Sequence, residues 1–117
     1  MASRRNPKRR GAAAAKDEER LRGMIAEATV DAHDESEAVM GFWDALQDEL
    51  ALPFKTEVLG VEVVVQDIGM TDDDQIVAVC KRGKTRQRIR LDELPLPDPP
   101  PTGAQWIEAY RRWRELG

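Results

Sequence analysis

Apolar residues recur at steps of three and four positions in two stretches of the N-terminal half, as expected for amphipathic helices. The first stretch predicts a helix over residues 17–30. The second predicts a helix over 34–50, with Asp31 or Asp34 as its N-cap and Pro53 as its terminator. Its apolar stripe consists of Val39, Trp43, Leu46 and Leu50. The acidic face opposite that stripe consists of Asp34, Glu37, Asp44 and Asp48.

Beyond Phe54 the spacing of apolar residues changes from helical to alternating, which is typical of half-buried β-strands. Glycines and the polar cluster at 71–74 separate the alternating segments and supply turns. The predicted strands are 54–59, 61–68, 75–80 and 86–91. Four or five short antiparallel strands predict a small SH3-like or Tudor-like β-barrel. We therefore expect an α+β fold in which the N-terminal helices pack on this barrel.

The two ends of the chain differ in composition from the segment between them. Residues 1–15 combine basic residues with a run of alanines and offer little apolar surface, so we expect a disordered basic arm. Residues 95–102 are rich in proline and predict an extended spacer. Residues 103–116 then predict a short C-terminal helix whose tryptophans dock on the domain. A single α+β domain is therefore expected over 16–94.

Charge is distributed in blocks of alternating sign, although the net charge is only −4. Residues 1–16 carry six basic residues and no acidic one. Residues 17–74 carry seventeen acidic residues and three basic ones. Residues 81–90 again carry six basic residues and no acidic one. The acidic half is therefore the first place to look for function, and the basic strand is the second.

Composition excludes several classes of protein. No apolar run approaches the length of a membrane span, and the N-terminus has no apolar stretch that suits a secretory signal, so we expect a cytoplasmic protein. Cys80 is the only cysteine and His33 the only histidine, which argues against a disulfide framework and against a zinc site. A catalytic pair of nucleophile and histidine lacks candidates for the same reason, so we do not expect an enzyme.

The dense field of carboxylates suits a hard cation better than acid–base catalysis, which needs a cleft that separates two pKa values. Calcium accepts about six to eight oxygen ligands in irregular geometry, and magnesium or manganese competes for the same donors. The strongest candidate is the run from Asp31 to Glu37, where Asp31, Asp34 and Glu35 stand at i, i+3 and i+4. Acidic residues in a first helical turn also cap the helix, and this alternative stays open.

A second acidic cluster, Asp72, Asp73 and Asp74, lies in a predicted turn between strands, where backbone carbonyls can also face an ion. An Asx turn explains the same residues equally well. The run that starts at Asp31 does not match an EF-hand loop, because it lacks the glycine at loop position 6 and the glutamate at position 12.

Three motifs stand out in these segments. They are VDAHDESEAVMG at Val30–Gly41, LPF at Leu52–Phe54, and VEV at Val61–Val63 followed by Gly69-Met70 before the acidic turn. In these motifs the chain resembles the cyanobacterial-type calcium-binding protein family known as CcbP, over roughly residues 24–116. The resemblance implies helices packed on a Tudor-like barrel and Ca²⁺ held by surface carboxylates without an EF-hand. On the matching positions it implies the ligands Asp31, Asp34, Glu35, Glu37, Asp72, Asp73 and Asp74.

The last predicted strand departs from that family, in which it is largely apolar. Here Arg86, Arg88 and Arg90 alternate and project from one face of the strand. They can pair with the acidic half, remain solvated or hold phosphates. We expect a Ca²⁺-binding protein, either a buffer or a sensor with a protein partner, and no membrane association. The alternative is a nucleic-acid-binding module that uses the basic arm and these three arginines.

Overall fold

The computed structural model describes residues 7–116, with side chains from residue 15 onward. The helices are α1 (Pro7–Thr29), α2 (Glu35–Glu49) and α3 (Ala104–Leu116). The strands are β1 (Phe54–Val58), β2 (Val61–Met70), β3 (Ile76–Arg82) and β4 (Thr85–Arg90), and a 3₁₀ helix, η1, spans Leu91–Glu93. The fold is α+β, as expected. None of the helices within these residues is long and apolar enough to cross a membrane.

Helix α1 begins at Pro7, well before the expected start at residue 17. Proline suits the first turn of a helix, and the alanines at 12–15 have the highest helix propensity. The helix therefore overlaps the expected disordered arm over residues 7–15. Residues 1–6 of that arm lie outside the described part of the chain.

Helix α2 is defined at both ends by local hydrogen bonds. The Asp34 carboxylate accepts a hydrogen bond from the backbone N–H of Glu37 at 2.9 Å, which makes Asp34 the N-cap. At the other end the N–H of Leu50 donates to the carbonyl oxygen of Leu46 at 3.0 Å. These bounds lie within a residue of the predicted 34–50, because the apolar stripe and the cap are both local signals.

The strands form one antiparallel sheet in the order β1-β2-β3-β4, and a register shift between Val65 and Asp67 bends β2 at a bulge. In the described sheet β1 and β4 are free edges, so the sheet is open and the expected barrel is not confirmed. After β4 the chain returns to β1, where Thr56 Oγ1 donates to the carbonyl oxygen of Pro95 at 2.6 Å. The returning segment is rich in prolines, which lack N–H donors, so it does not supply a closing strand.

The helices cover one face of the sheet. The hydroxyl of Tyr110 in α3 accepts a hydrogen bond from the backbone N–H of Ile76 in β3 at 3.3 Å, and both residues are fully buried. Phe42 of α2 packs against the Tyr110 ring in an edge-to-face arrangement, with ring centroids 5.6 Å apart. Leu91 and Leu94, which follow β4, are also fully buried and complete this side of the core. The C-terminal helix is therefore part of the core and not an appendage.

Helices α1 and α2 cross at Gly41. A Cβ atom at this position would lie 1.8 Å from the carbonyl oxygen of Ala28, so a side chain there forces the helices apart. An ion pair then ties α1 to α3, because Arg112 Nη2 lies 2.8 Å from Glu18 Oε1. The three helices thus form one layer, in which the backbones of α1 and α2 come close together at Gly41.

We expect Gly41→Ala to lower the free energy of unfolding by about 1–3 kcal/mol, because its Cβ overlaps the α1 backbone. Gly23→Ala is the matched control. Gly23 lies in α1, and a Cβ added there would meet no atom within 4 Å, so the same change should stabilise the helix by about 0.5–1 kcal/mol. Urea unfolding of both variants measures the difference. Equal effects of the two substitutions would contradict the close crossing.

Candidate metal-binding site

A groove of about 500 Å³ lies where the C-terminal part of α1 meets α2. Gly41 and Ala28, the residues of the helix crossing, are among those that line it. Its described lining includes six carboxylates and no basic side chain. The carboxylates are Glu27, Asp31, Glu37, Asp44, Asp48 and Glu49. We call this the acidic groove, and every charged group in it is a hard oxygen donor of the kind that calcium prefers.

Two of the predicted ligands, Asp31 and Glu37, line the acidic groove. Asp31 belongs to the short connection between α1 and α2, and its side chain is exposed. The Glu37 carboxylate accepts a hydrogen bond from the backbone N–H of His33 at 3.0 Å, while the Glu37 N–H donates to Asp34. Asp34 and Glu37 therefore cap the helix. Each carboxylate still has lone pairs for a further ligand, so capping and metal binding do not exclude each other.

Glu35 lies on the other side of the helix start. Its Oε1 is 3.0 Å from Arg114 Nη1, and it lines a separate cavity with Trp113. The expected grouping of Asp31, Asp34 and Glu35 on one side of the helix entrance is therefore not what the structure contains. The physical reason is that Asp31 precedes the helix, so helical spacing does not describe its direction.

Arg114 connects Glu35 to the turn that carries the second acidic cluster. Its Nη2 donates to the carbonyl oxygen of Asp74 at 2.5 Å, and its Nε donates to the hydroxyl of Tyr110 at 3.0 Å. The guanidinium carbon also lies 5.1 Å from the centre of the Trp113 ring. Only 13% of the Arg114 side chain is exposed. A fixed positive charge thus occupies the space between these two predicted parts of the site.

The three aspartates of the β2–β3 turn differ in their surroundings. The Thr71 hydroxyl donates to Asp73 Oδ1 at 2.5 Å, and this hydrogen bond is the main reason that the pKa of Asp73 is below its usual range. Asp74 has a positive φ of 62°, a conformation that aspartate tolerates in turns. Asp72 is exposed. Thr71 holds the turn together, because its hydroxyl also accepts a hydrogen bond from the backbone N–H of Gln75 at 3.0 Å and its carbonyl oxygen accepts one from the N–H of Asp74 at 3.2 Å.

Four groove carboxylates were not among the predicted ligands: Glu27, Asp44, Asp48 and Glu49. Asp44 and Asp48 stand four residues apart on the predicted acidic face of α2, so the signal was in the sequence. Glu49 is placed by a distant residue, because the Trp106 indole N–H donates to its carboxylate. That contact needs Gly103, where a Cβ would lie 2.2 Å from the Glu49 carbonyl oxygen and φ is +86°.

The acidic groove suits calcium in donor chemistry but is not preassembled. Within the described residues, no three acidic, histidine or cysteine side chains converge closely enough to hold a metal ion. Calcium tolerates this situation better than magnesium does, because it accepts irregular shells that include water and backbone carbonyls. Asp31, Asp44 and Asp48 make no side-chain hydrogen bond within the described residues, so their exposed carboxylates can rotate toward an ion that enters the groove.

Comparison with known proteins identifies one family. The family model named Calci_bind_CcbP, described as calcium binding, matches residues 22–114 of the chain. No curated protein and no solved structure matches the chain.

Thr71→Val should raise the pKa of Asp73 toward its ordinary value, because the substitution removes the donor that favours the carboxylate. Because the pKa of Asp73 is lower in the folded protein than in the unfolded chain, its carboxylate stabilises the fold at pH values above the unfolded-state pKa. This stabilisation is lost as the pH falls through the folded-state pKa. Thr71→Ser keeps the hydroxyl and is the control. Carboxyl ¹³C NMR titration of Asp73 measures the pKa. An unchanged pKa in Thr71→Val would contradict this assignment.

Proposed function

The chain belongs to the CcbP family of calcium-binding proteins, and on this premise we propose that it binds Ca²⁺ in the acidic groove. The observation that carries the proposal is the presence of six carboxylates around one groove whose described lining has no basic side chain. These carboxylates repel one another, which destabilises the folded protein. A divalent cation bound between them replaces this repulsion with attraction. Glu18 and Glu35 have arginine partners elsewhere in the fold, whereas none of the six groove carboxylates forms an ion pair within the described residues.

The proposed ligands combine two of the residues expected from the sequence with acidic neighbours on α2. Asp31 and Glu37 come from the run at the start of α2, and Asp44 and Asp48 come from its exposed face. Asp34 lies beside them as the N-cap. The connection between the two helices has only five residues, far fewer than the twelve of an EF-hand loop, so we propose a surface site of a different kind.

We propose the Asp72–Asp74 turn with Glu35 as a second, weaker location. Arg114 donates to the Asp74 carbonyl oxygen and pairs with Glu35, so an ion there has to compete with a guanidinium that is already in place. The acidic groove contains no such competitor among its described lining residues. Calcium should therefore enter the groove first.

The proposed activity is binding without catalysis, either as a buffer or as a sensor. Both roles follow from the same effect, in which a bound ion removes the repulsion between the groove carboxylates. These carboxylates come from α1, the connection and α2, so the ion also holds the two helices together. A sensor additionally needs a surface that changes when the ion binds. Val30 and Met40 are exposed apolar residues that line the same groove, so neutralising the carboxylates changes what a protein partner meets there.

Asp31→Asn combined with Asp44→Asn should weaken Ca²⁺ binding at least tenfold. Both residues line the acidic groove, and neither makes a side-chain hydrogen bond within the described residues, so the fold should be unaffected. Asp72→Asn combined with Asp74→Asn removes the same charge from the turn and is the matched control. Isothermal titration of the wild-type protein and both double variants measures the affinities.

The groove variant should lose affinity while the turn variant keeps it. If the turn variant loses affinity and the groove variant does not, the ion binds at the turn and the proposed location is wrong. If the wild-type protein gives no saturable heat with Ca²⁺, the proposed function itself is wrong.

Calcium should also raise the melting temperature of the wild-type protein. A ligand that binds only the folded state at about 100 times its Kd adds about 2.7 kcal/mol to the free energy of unfolding. Sodium chloride at the same ionic strength is the control, because it screens the carboxylates without bridging them. Calorimetry in the two solutions measures the difference. An equal rise in both would mean that screening alone explains the effect.

A further inference from the structure

On the face of the sheet that points away from the helices, β3 and β4 carry a second charged surface, of opposite sign to the groove. The β1–β2 part of the same face carries Glu57 and Glu62. The register places Lys55, Val64, Lys81 and Arg86 in one row across the four strands. Asp67, Val79 and Arg88 form the next row. Residues at these alternating positions share one face, the outer face, and their neighbours Thr56, Val65 and Cys80 on β1, β2 and β3 are buried on the opposite face. We call Lys81, Arg86 and Arg88 the outer-face cations.

Lys81 and Arg86 are directly opposite each other in the antiparallel pair of β3 and β4. Side chains at opposed positions have Cβ atoms about 4.5–5.5 Å apart, and like charges there destabilise the sheet. Arg88 follows on the same face about 7 Å along the strand. Three positive charges are therefore held within a short distance by backbone pairing.

No carboxylate neutralises these three groups within the described residues. Arg90, at the end of the same strand, does have partners, because its guanidinium lies 2.8 Å from Asp92. Asp67 is the acidic group nearest to Arg88 in the register, but its Oδ1 accepts a hydrogen bond from the backbone N–H of Ile68 at the bulge. The sequence allowed all three arginines of β4 to pair with acidic residues of the chain. The structure shows such an ion pair for Arg90. Arg86 and Arg88 have none in the described part of the chain.

We propose that the outer face of the sheet binds the phosphate backbone of a nucleic acid. Three cations at this spacing suit an anion whose charges are closely and regularly spaced, and duplex DNA carries one charge per about 1.7 Å of its axis. The guanidinium groups of Arg86 and Arg88 are exposed and match phosphate oxygens in geometry. None of the outer-face positions in the register is aromatic, so stacking on bases does not contribute and the contact is independent of sequence.

Arg86→Gln combined with Arg88→Gln tests the proposal in the full chain. Fluorescence anisotropy with a labelled DNA duplex, repeated between about 50 and 200 mM salt, gives the slope of log K against log salt. Loss of two phosphate contacts should lower the magnitude of that slope by about 1.8. The melting temperature should not fall, because removing Arg86 relieves its repulsion with Lys81.

Lys16→Gln combined with Arg22→Gln is the matched control, because it removes the same charge from exposed positions of α1. This variant should keep the wild-type slope. Equal loss of slope in both variants would mean that net charge alone governs binding, and an unchanged slope in the outer-face variant would place the contact elsewhere. Absence of binding at low salt, or stronger binding of labelled polyglutamate than of the duplex, would also overturn the proposal.

Discussion

The close crossing of α1 and α2 determines which carboxylates lie near one another in the folded protein. Gly41 brings the two backbones so near that a Cβ would overlap the Ala28 carbonyl oxygen. This approach places carboxylates from the end of α1, the connection and the exposed side of α2 around one groove. The fold therefore holds together like charges that an unfolded chain would keep apart. A doubly charged cation is the simplest partner that relieves this arrangement.

The distribution of arginines decides which carboxylates are available. Arg114 is held by Tyr110 and by the Asp74 carbonyl oxygen, and it pairs with Glu35. Arg112 pairs with Glu18 and so joins α3 to α1. These arginines act as internal counter-ions on the α3 side of the molecule. The acidic groove and the outer-face cations of β3 and β4 remain as two unbalanced groups of opposite sign.

Local features could be predicted from the sequence, and features that depend on distant contacts could not. The apolar stripe and the Asp34 cap are local, so α2 lies within a residue of its predicted bounds. Barrel closure depends on whether the two edge strands meet, and strand lengths alone do not reveal that. The ion pair of Glu35 joins it to Arg114, which is 79 positions away in the sequence, and no local pattern predicts that contact. The acidic face of α2 was therefore predictable, whereas the position of Arg114 between Glu35 and the Asp74 turn was not.

Terbium luminescence tests the location of the ion most directly. Tb³⁺ takes the same oxygen ligands as Ca²⁺, and it emits when a nearby indole transfers energy to it. Trp106 lines the acidic groove, whereas Trp113 lines the cavity that contains Glu35. Trp43 lies on α2 next to the groove residue Asp44 and can also transfer energy. We therefore predict sensitised emission that Ca²⁺ displaces, that Trp106→Phe reduces and that Trp113→Phe retains. Emission that survives Trp106→Phe and disappears in Trp113→Phe would contradict the account, because the ion would then lie beside Arg114 and not in the groove.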